Sequence, residues 1–224
     1  MRNGKPMSVD TLKDEPAPGR VNDPEGTRRN ILEVATQEFA QNGLSGARID
    51  EIAAKTKSSK RMIYYYFGDK EGLYRAVLED AYSKVRATEA TLDLEDMPPL
   101  DALATLARFT FDHHDGNPDF IRLVMIENIH HGAYLAKSPV IQKLNVTAID
   151  TVNRLYRRGV RDGVFRAGLD PVELHWQISA LCFFNVSNRA TFSQIFKRDL
   201  GSRKSLKSLR EAVVEMILRH VQAR

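Results

Sequence analysis

Four sites in this chain place a helix-capping side chain directly before a proline: Asp23-Pro24, Asn117-Pro118, Ser138-Pro139 and Asp170-Pro171. An N-cap oxygen accepts hydrogen bonds from free backbone amides, and proline suits the first helical position because its missing N–H needs no partner there. Apolar residues recur at helical spacing, and no segment sustains the alternation of a strand. The sequence therefore predicts an all-α fold with helices near 70–90, 99–115, 118–132, 139–162, 171–197 and 204–222, with Gly132 and Gly163 as C-terminal caps.

The first 22 residues are rich in proline and glycine and have hardly any apolar periodicity, which predicts a disordered N-terminal tail over 1–22. Their basic residues could form a minor-groove arm, but Asp10, Asp14 and Glu15 dilute the charge, so a passive tail is the favoured interpretation. The basic residues in question are Arg2, Lys5, Lys13 and Arg20.

Three helices are predicted between residues 24 and 67. The first has an apolar stripe of Ile31, Leu32, Ala35 and Phe39 and ends at Gly43. A short second helix contains Ile49, Ile52 and Ala53, and a third runs from about residue 60 to 67, capped by Ser58 or Ser59. Two short helices joined by a tight turn are typical of a helix-turn-helix, whose second helix lies in the major groove of DNA. Its N-terminal residues, which would face the bases, are Lys60, Arg61 and Met62.

The segment from Lys55 to Leu73 is basic and contains four consecutive aromatic residues. Its cations and hydroxyl groups can donate to phosphate oxygens, and Asp69 is its one early acid. A solvated helix face is the competing interpretation of such a charge run. The residues concerned are Lys55, Lys57, Lys60, Arg61 and Lys70, with the hydroxyls of Ser58, Ser59, Tyr64, Tyr65 and Tyr66.

These segments resemble the DNA-binding domain of the tetracycline-repressor (TetR) family over roughly residues 24 to 80. The resemblance is carried by Thr27-Arg28-Arg29-x-Ile31-Leu32, Phe39-x-x-x-Gly43, Ile49-Asp50-x-Ile52-Ala53 and Ser59-Lys60-x-x-Ile63-Tyr64-Tyr65-Tyr66-Phe67-x-x-Lys70-Glu71-x-Leu73. It implies a helix-turn-helix domain over 23–80, followed over 81–224 by an all-helical domain for effector binding and dimerisation. Most members are repressors that release operator DNA when they bind a small molecule.

The chain departs from the family pattern at four residues. Lys57-Ser58 stands where the family often has Gly-Val, Arg61 where it often has Gly or Pro, and Arg48 where it often has Thr. Arg48 cannot cap a helix with a hydroxyl but can reach a phosphate. The resemblance places Tyr65 and Lys70 against the phosphate backbone of DNA. The full set of expected DNA contacts is Thr27, Arg48, Lys57, Ser58, Ser59, Lys60, Arg61, Met62, Tyr64, Tyr65 and Lys70.

Composition adds limits on function and compartment. A net charge of +4 is only mildly basic, so DNA binding must come from local clustering of charge. The single cysteine, Cys182, excludes an intramolecular disulfide and is predicted to be a buried apolar residue, with a redox-sensing thiol as the alternative. With no signal sequence and no long apolar run, we expect a cytoplasmic protein with no membrane contact.

The helices predicted near 171–197 and 204–222 carry more apolar surface than one subunit needs to bury. We expect them to form a homodimer, which suits two recognition helices reading a palindromic operator; burial within one subunit is the alternative. The middle helices are expected to enclose a small-molecule effector of unknown identity, although such residues are often plain core. The candidate pocket residues are Met125, Asn128, His131, Tyr134, Trp176, Phe184 and Asn185.

His113-His114-Asp115 and Glu127-x-x-His130-His131 raise the possibility of a metal site. Adjacent histidines point to different faces of a helix, however, and no second Glu-x-x-His occurs, so no metal is predicted. No catalytic or nucleotide-binding motif is present, which predicts a protein that is not an enzyme and has no cofactor. The alternative to a ligand-released repressor is a DNA-binding activator or architectural protein without small-molecule control.

Overall fold

A computed structural model describes Met1 and residues 23–223, and its residues 23–223 confirm the predicted all-α fold. The predictions for the N-terminal tail and its basic residues fall on residues outside this described part. No helix within it is long and apolar enough to span a membrane. The helices are α1 (Pro24–Gly46), α2 (Ile49–Thr56), α3 (Lys60–Phe67), α4 (Lys70–Glu89), α5 (Pro99–Gly116), α6 (Pro118–Ile129), a 3-10 turn (Leu135–Lys137), α7 (Pro139–Arg161), α8 (Pro171–Ser187), α9 (Arg189–Phe196) and α10 (Arg203–Val221).

Three of the four predicted helix starts are capped as expected. The Asp23 carboxylate accepts from the Gly26 amide at 2.8 Å, Asp170 from Val172 at 2.7 Å and Ser138 from Ile141 at 3.3 Å. Asn117 is different, because its side-chain amide donates to the carbonyl of His113 at 2.8 Å. The prediction that Asn117 caps α6 is therefore wrong. Its side chain instead donates to a backbone carbonyl in the last turn of α5, which has no partner within the helix.

The glycines expected at helix ends take the left-handed backbone that such ends require. Gly43 (φ 69°) breaks α1, Gly132 (φ 73°) follows α6 and Gly163 (φ 72°) follows α7. Each position would strain most other residues, which explains why the sequence signalled these boundaries clearly.

The single helix predicted over 171–197 is wrong, because Asn188 separates α8 from α9. Asn188 has φ −110° and ψ 0°, and its side-chain amide donates to the Ser187 hydroxyl at 2.8 Å. Arg189 is held by an ion pair with Asp115 on α5. Short polar side chains offer the backbone an alternative to helical bonding, and this ion pair fixes the break in place.

The head, which we define as α1, α2 and α3, has its own apolar core. Phe39 and Ile63 are fully buried there, and the Phe39 ring packs edge-on against Tyr74 of α4 at 5.1 Å. Leu123 of α6 and Ile141 of α7 belong to the same core. The head is therefore packed directly against the second part of the chain.

A second core lies between α5, α7, α8 and α10 and includes Phe111, Leu155, Ile178 and Val214. Cys182 is fully buried within it, as predicted. Burial raises the pKa of the Cys182 thiol to about 12, so little thiolate is present for redox chemistry at neutral pH.

Helix α4 connects the two cores along its length. Glu79 accepts from the Ser138 hydroxyl at 2.6 Å, and the ring of Tyr82 packs edge-on against Phe120 at 5.3 Å. Near its end, Arg86 donates to Asn145 of α7 at 3.3 Å. Between Lys70 and Arg86 a helix rises by roughly 24 Å, so α4 links the head to the distant helices as one continuous rod.

Candidate nucleic-acid interface and ligand cavity

The turn between α2 and α3 is the tight connection expected of a helix-turn-helix. Lys57 takes the left-handed conformation with φ 54°, which accounts for the glycine often found at this position in the family pattern. Ser59 caps α3 by accepting from the Met62 amide at 3.2 Å. Ile63 and Phe67 turn one face of α3 into the core, while its remaining face is exposed through Lys60, Arg61, Met62, Tyr64 and Tyr65.

Ion pairs reduce the free positive charge of the head. Lys55 pairs with Glu38 at 3.1 Å and Lys60 pairs with Asp50, so these lysines have acidic partners besides Asp69, the one early acid of the segment itself. Those acids precede the segment in sequence and only the fold brings them near it. Within residues 23–223, Arg48, Lys57 and Arg61 are exposed and form no salt bridge.

The other predicted DNA contacts differ in how free they are. The Thr27 hydroxyl donates to the Asp23 carbonyl at 2.9 Å, and Ser58 is half-buried. The Lys70 ammonium donates to the Ser45 carbonyl at 3.2 Å, which ties the start of α4 to the end of α1. An ammonium has three donors, so a phosphate contact by Lys70 stays a prediction alongside the rest of the set.

Replacing Lys57 with glycine is expected to stabilise the chain by about 0.5–1 kcal/mol, because glycine takes left-handed backbone without strain. Urea unfolding of the purified chain measures this change. Lys57→Asn is the matched control, since asparagine also tolerates this conformation and removes the same charge. A lower unfolding midpoint for Lys57→Gly would contradict the prediction.

Glu38 holds α2 against α1. This carboxylate is 3% exposed and accepts from Asn42 at 2.9 Å, from the Arg48 amide at 3.3 Å and from Lys55 at 3.1 Å. Burial alone would raise the pKa of Glu38, but these hydrogen bonds hold the pKa below its ordinary value. A single buried acid thus positions the start of α2, where Arg48 lies.

A cavity of about 590 Å³ lies among α4, α5, α6 and α8. Its size is within the range of small-molecule sites, and its walls combine aromatic rings with a few polar groups. The apolar wall contains Tyr82, Val85, Phe109, Phe120, Val124, Trp176, Ala180, Phe183 and Phe184; the polar wall contains Arg86, Glu89, Thr110, His113, His114, Asn128, Asn145, His175, Ser179, Ser187 and Asn188.

Three of the seven candidate pocket residues, Asn128, Trp176 and Phe184, line this cavity. The other four lie outside its wall, for reasons of helix geometry. The cavity face of α6 repeats every four residues through Phe120, Val124 and Asn128, which turns Met125 toward solvent.

His131 is in the left-handed turn after α6, with φ 56°. Tyr134 packs edge-on against Tyr74 at 5.2 Å, in the head core. Asn185 lies on the face of α8 that carries Ile178 and Cys182 into the second core. These side chains therefore face elsewhere in the molecule.

The glutamate of the suspected Glu-x-x-His motif has a structural contact. Glu127 is 1% exposed, and one of its oxygens accepts from the Tyr134 and Leu135 amides at 2.7 and 2.9 Å. It thereby closes the loop after α6. Among the described residues, no three acidic, histidine or cysteine side chains come together as a metal site.

Sequence reasoning missed the most polar part of the cavity. Arg86 forms a buried ion pair with Glu89 and faces the histidines of α5 and α8. Burial lowers the pKa of His114 and of His175 to about 4, and burial together with Arg86 also lowers the pKa of His113. All three imidazoles are therefore neutral at pH 7. The His113-His114 pair was noticed only as a possible metal motif, and no local signal places Arg86 opposite it.

An apolar face is exposed on α8 at the edge of the cavity, with which it shares Trp176 and Phe184, and continues onto α9. Trp176 is 72% exposed and Ile195 67% exposed, values unusual for large apolar side chains. On α10 only Met216 among the large apolar residues is strongly exposed, because the others pack inward. The apolar face consists of Val172, Trp176, Phe184, Phe192, Ile195, Phe196 and Met216.

The helix-turn-helix head with its exposed recognition helix, joined to a helical domain that contains a cavity, defines a transcriptional regulator that binds DNA. Residues 31–77 match the family described as "Bacterial regulatory proteins, tetR family", and residues 99–217 match "Tetracyclin repressor-like, C-terminal domain". The chain belongs to the TetR family of transcriptional regulators.

Individual relatives agree with this assignment. The HTH-type transcriptional repressor NicS of Pseudomonas putida is 35% identical over 83% of this chain and 88% of its own. The HTH-type transcriptional regulator RutR of Escherichia coli K12 is 31% identical over 68% of this chain and 70% of its own. The crystal structure of SCO4942 from Streptomyces coelicolor superposes with a TM-score of 0.67 at 28% identity, covering 87% of this chain and 98% of that one.

Proposed function

We propose that this chain is a homodimeric repressor that acts in the cytoplasm, binds a palindromic operator and releases it when a small molecule occupies the cavity. The observation that carries the proposal is that α4, whose first turn contacts the head through Lys70, contributes Tyr82, Arg86 and Glu89 to the cavity wall. A ligand between α6 and α8 would press on the same helix that holds the head.

Release of DNA follows if the ligand changes the separation of two recognition helices. Half-sites one DNA turn apart require a spacing of about 34–36 Å, so a shift of a few ångströms misaligns both heads together. The ligand must favour the misaligned state by a coupling of about 1–3 kcal/mol, and operator DNA must weaken ligand binding equally.

The dimer is supported by the apolar face on α8 and α9. Two such faces pack around a two-fold axis, which presents two heads to the two halves of a palindrome. The contribution of α10 is smaller than its sequence suggested, since Val213, Val214 and Ile217 are buried within the subunit.

A DNA-binding activator or architectural protein without small-molecule control is the second candidate. Such a protein has no need for a cavity and would fill the same space with packed side chains. The 590 Å³ cavity beside α4 favours the ligand-released repressor.

Selection of bound fragments from the promoter DNA of the source organism tests the proposal. We expect an inverted repeat, bound by the chain as a dimer in gel-shift and light-scattering measurements. Calorimetric titration of a cavity ligand with and without that operator then tests release. Equal ligand affinities in the two titrations would exclude release, and tighter binding on DNA would indicate a co-repressor.

Arg61→Ala is expected to lose discrimination at one base pair in each half-site. Arg61 is exposed in the first turn of α3, and a guanidinium pairs well with guanine, with a discrimination worth about 1–3 kcal/mol. Competition binding with single-base operator variants measures this. Arg48→Ala is the control, because an expected phosphate contact weakens all sequences alike. A uniform loss for Arg61→Ala would reduce Arg61 to a phosphate contact.

A further inference from the structure

Among the residues that the structure describes, Arg86 is the one arginine in the wall of the cavity. Its side chain is only 17% exposed; one terminal nitrogen pairs with Glu89 and the other donates to Asn145 at 3.3 Å. Its Nε is buried and has no hydrogen-bond partner among the described residues. A guanidinium with a free donor is suited to a planar acceptor such as a carboxylate.

Three imidazoles lie near this guanidinium. His113 and His114 on α5 and His175 on α8 all line the cavity, and the charge of Arg86 acts on each of them. The Nδ1 atoms of His113 and His114 are buried without a partner in the described part of the chain. Buried polar atoms of this kind are satisfied when a ligand supplies the complementary group.

The groups facing these imidazoles contain a single carboxylate. From α4 come Tyr82, Arg86 and Glu89; α6 and α7 supply the neutral amides of Asn128 and Asn145. The nearby acids of α5 are engaged elsewhere, Asp112 with Arg210 and Asp115 with Arg189. One carboxylate thus balances one guanidinium, and three imidazoles remain that can each take up a proton.

The aromatic part of the cavity wall adjoins these imidazoles and suits a flat ring. Phe109, Phe120, Phe183 and Phe184 line it, and the His114 ring lies nearly parallel to Phe120 at a centroid distance of 6.0 Å. Aromatic groups bind preferentially in offset or edge-on contact with such rings.

We propose that the cavity binds an aromatic carboxylate, with the ligand's acid group at Arg86 and the imidazoles and its ring against the phenylalanines. This ligand class deepens the proposed function, on which it rests, by naming the chemistry of the effector. A neutral ligand of the same shape would offer the Nε donor of Arg86 only an uncharged acceptor, which forms a weaker hydrogen bond than a carboxylate does.

Binding of the anion is expected to be linked to proton uptake. The free cavity keeps its imidazoles neutral, with the pKa of His114 and His175 at about 4 because of burial and the charge of Arg86. A bound carboxylate offsets that charge and raises their pKa, so the complex holds more protons than the free protein above pH 4. Affinity for the acid therefore increases as pH falls from 7.5 toward 5.5.

Matched pairs of acids and primary amides test the ligand class: benzoate and benzamide, 1-naphthoate and 1-naphthamide, indole-3-acetate and indole-3-acetamide. At about 1 mM ligand, a compound that binds the folded chain raises its melting temperature. We expect at least one acid to do so and its amide to have at most a tenth of the acid's affinity. Calorimetry in two buffers of different ionisation enthalpy should show proton uptake near pH 5.5.

Variants assign the effect to Arg86. Arg86→Met leaves Glu89 buried without its partner, so the double variant Arg86→Met/Glu89→Gln, which removes both charges, is tested beside it. We expect both to lose acid binding. Arg122→Met is the control, because Arg122 is an exposed arginine of α6 outside the cavity wall.

Several results would overturn the inference: no acid of the panel binds, amides bind as tightly as acids, the double variant keeps acid binding, or no proton is taken up. The proposed function is tested separately, by operator release. If an acid binds through Arg86 but leaves operator binding unchanged, the ligand class stands and the release mechanism fails. If a neutral compound alone releases the operator, release stands and the anion site is wrong.

Discussion

Replacing Ile195 with aspartate is expected to convert the protein to monomers and to weaken operator binding by about 100-fold or more. Ile195 lies on α9 in the apolar face and is 67% exposed in the single chain. A charge there is buried without a partner when two such faces meet, which opposes association. Because α9 does not line the cavity, this variant separates dimerisation from ligand binding.

Ile129→Asp is the matched control for that experiment. Ile129 is the last residue of α6 and is 73% exposed. The variant therefore replaces an isoleucine of similar exposure that lies outside the apolar face. Light scattering gives the oligomeric state, and fluorescence anisotropy with labelled operator gives affinity. If the Ile195→Asp dimer is as stable as the wild-type dimer, α9 is not part of the dimer interface. If Ile129→Asp dissociates the dimer, the interface includes the end of α6.

The sequence was most informative where a local rule decides the structure. Gly43 marked the end of the regular part of α1, and Asp23 and Asp170 marked helix starts. Such signals depend on backbone conformation and helical period within a few residues. The head was therefore predictable in detail.

The cavity was less predictable because its wall is assembled from helices far apart in sequence. Arg86 and His175 are 89 positions apart, and neither belongs to a recognisable motif. The helical period of α6 alone does not indicate which of its faces lines the cavity. The contact of the Phe120 ring with Tyr82 of α4 decides this. The break at Asn188 likewise depends on Asp115, a residue of another helix.

Ion pairs between residues of different helices also change the charge that the head presents, compared with the charge expected from its sequence. Lys55 and Lys60 are basic in the sequence, yet Glu38 and Asp50 pair with them across helix boundaries. Arg48, Lys57 and Arg61 are exposed cations of the head that form no salt bridge within residues 23–223, and the chain departs from the family pattern at each of them. We infer that these departures set the operator preference of this regulator.

The second large effect is expected from Glu38→Ala, which should destabilise the chain by about 2–3 kcal/mol because the Arg48 amide and the Asn42 side chain lose their buried acceptor. Urea unfolding measures this loss. Glu38→Gln is the control: its carbonyl oxygen can still accept from Arg48, so the loss should be smaller. Lys55→Met should also destabilise the chain, because it leaves the buried Glu38 carboxylate without its cation.

The effect of Glu38 depends on pH in a direction that follows from its lowered pKa. A carboxyl group whose pKa is lower in the folded chain stabilises it above the unfolded pKa of about 4.3 and loses that contribution as pH falls through the folded value. The difference in stability between wild type and Glu38→Gln should therefore shrink below pH 4. Since Glu38 also fixes the start of α2, Glu38→Ala should weaken operator binding even where the protein remains folded. Unchanged affinity in that variant would show that α2 is held in place by its apolar contacts through Ile49 and Ile52 alone.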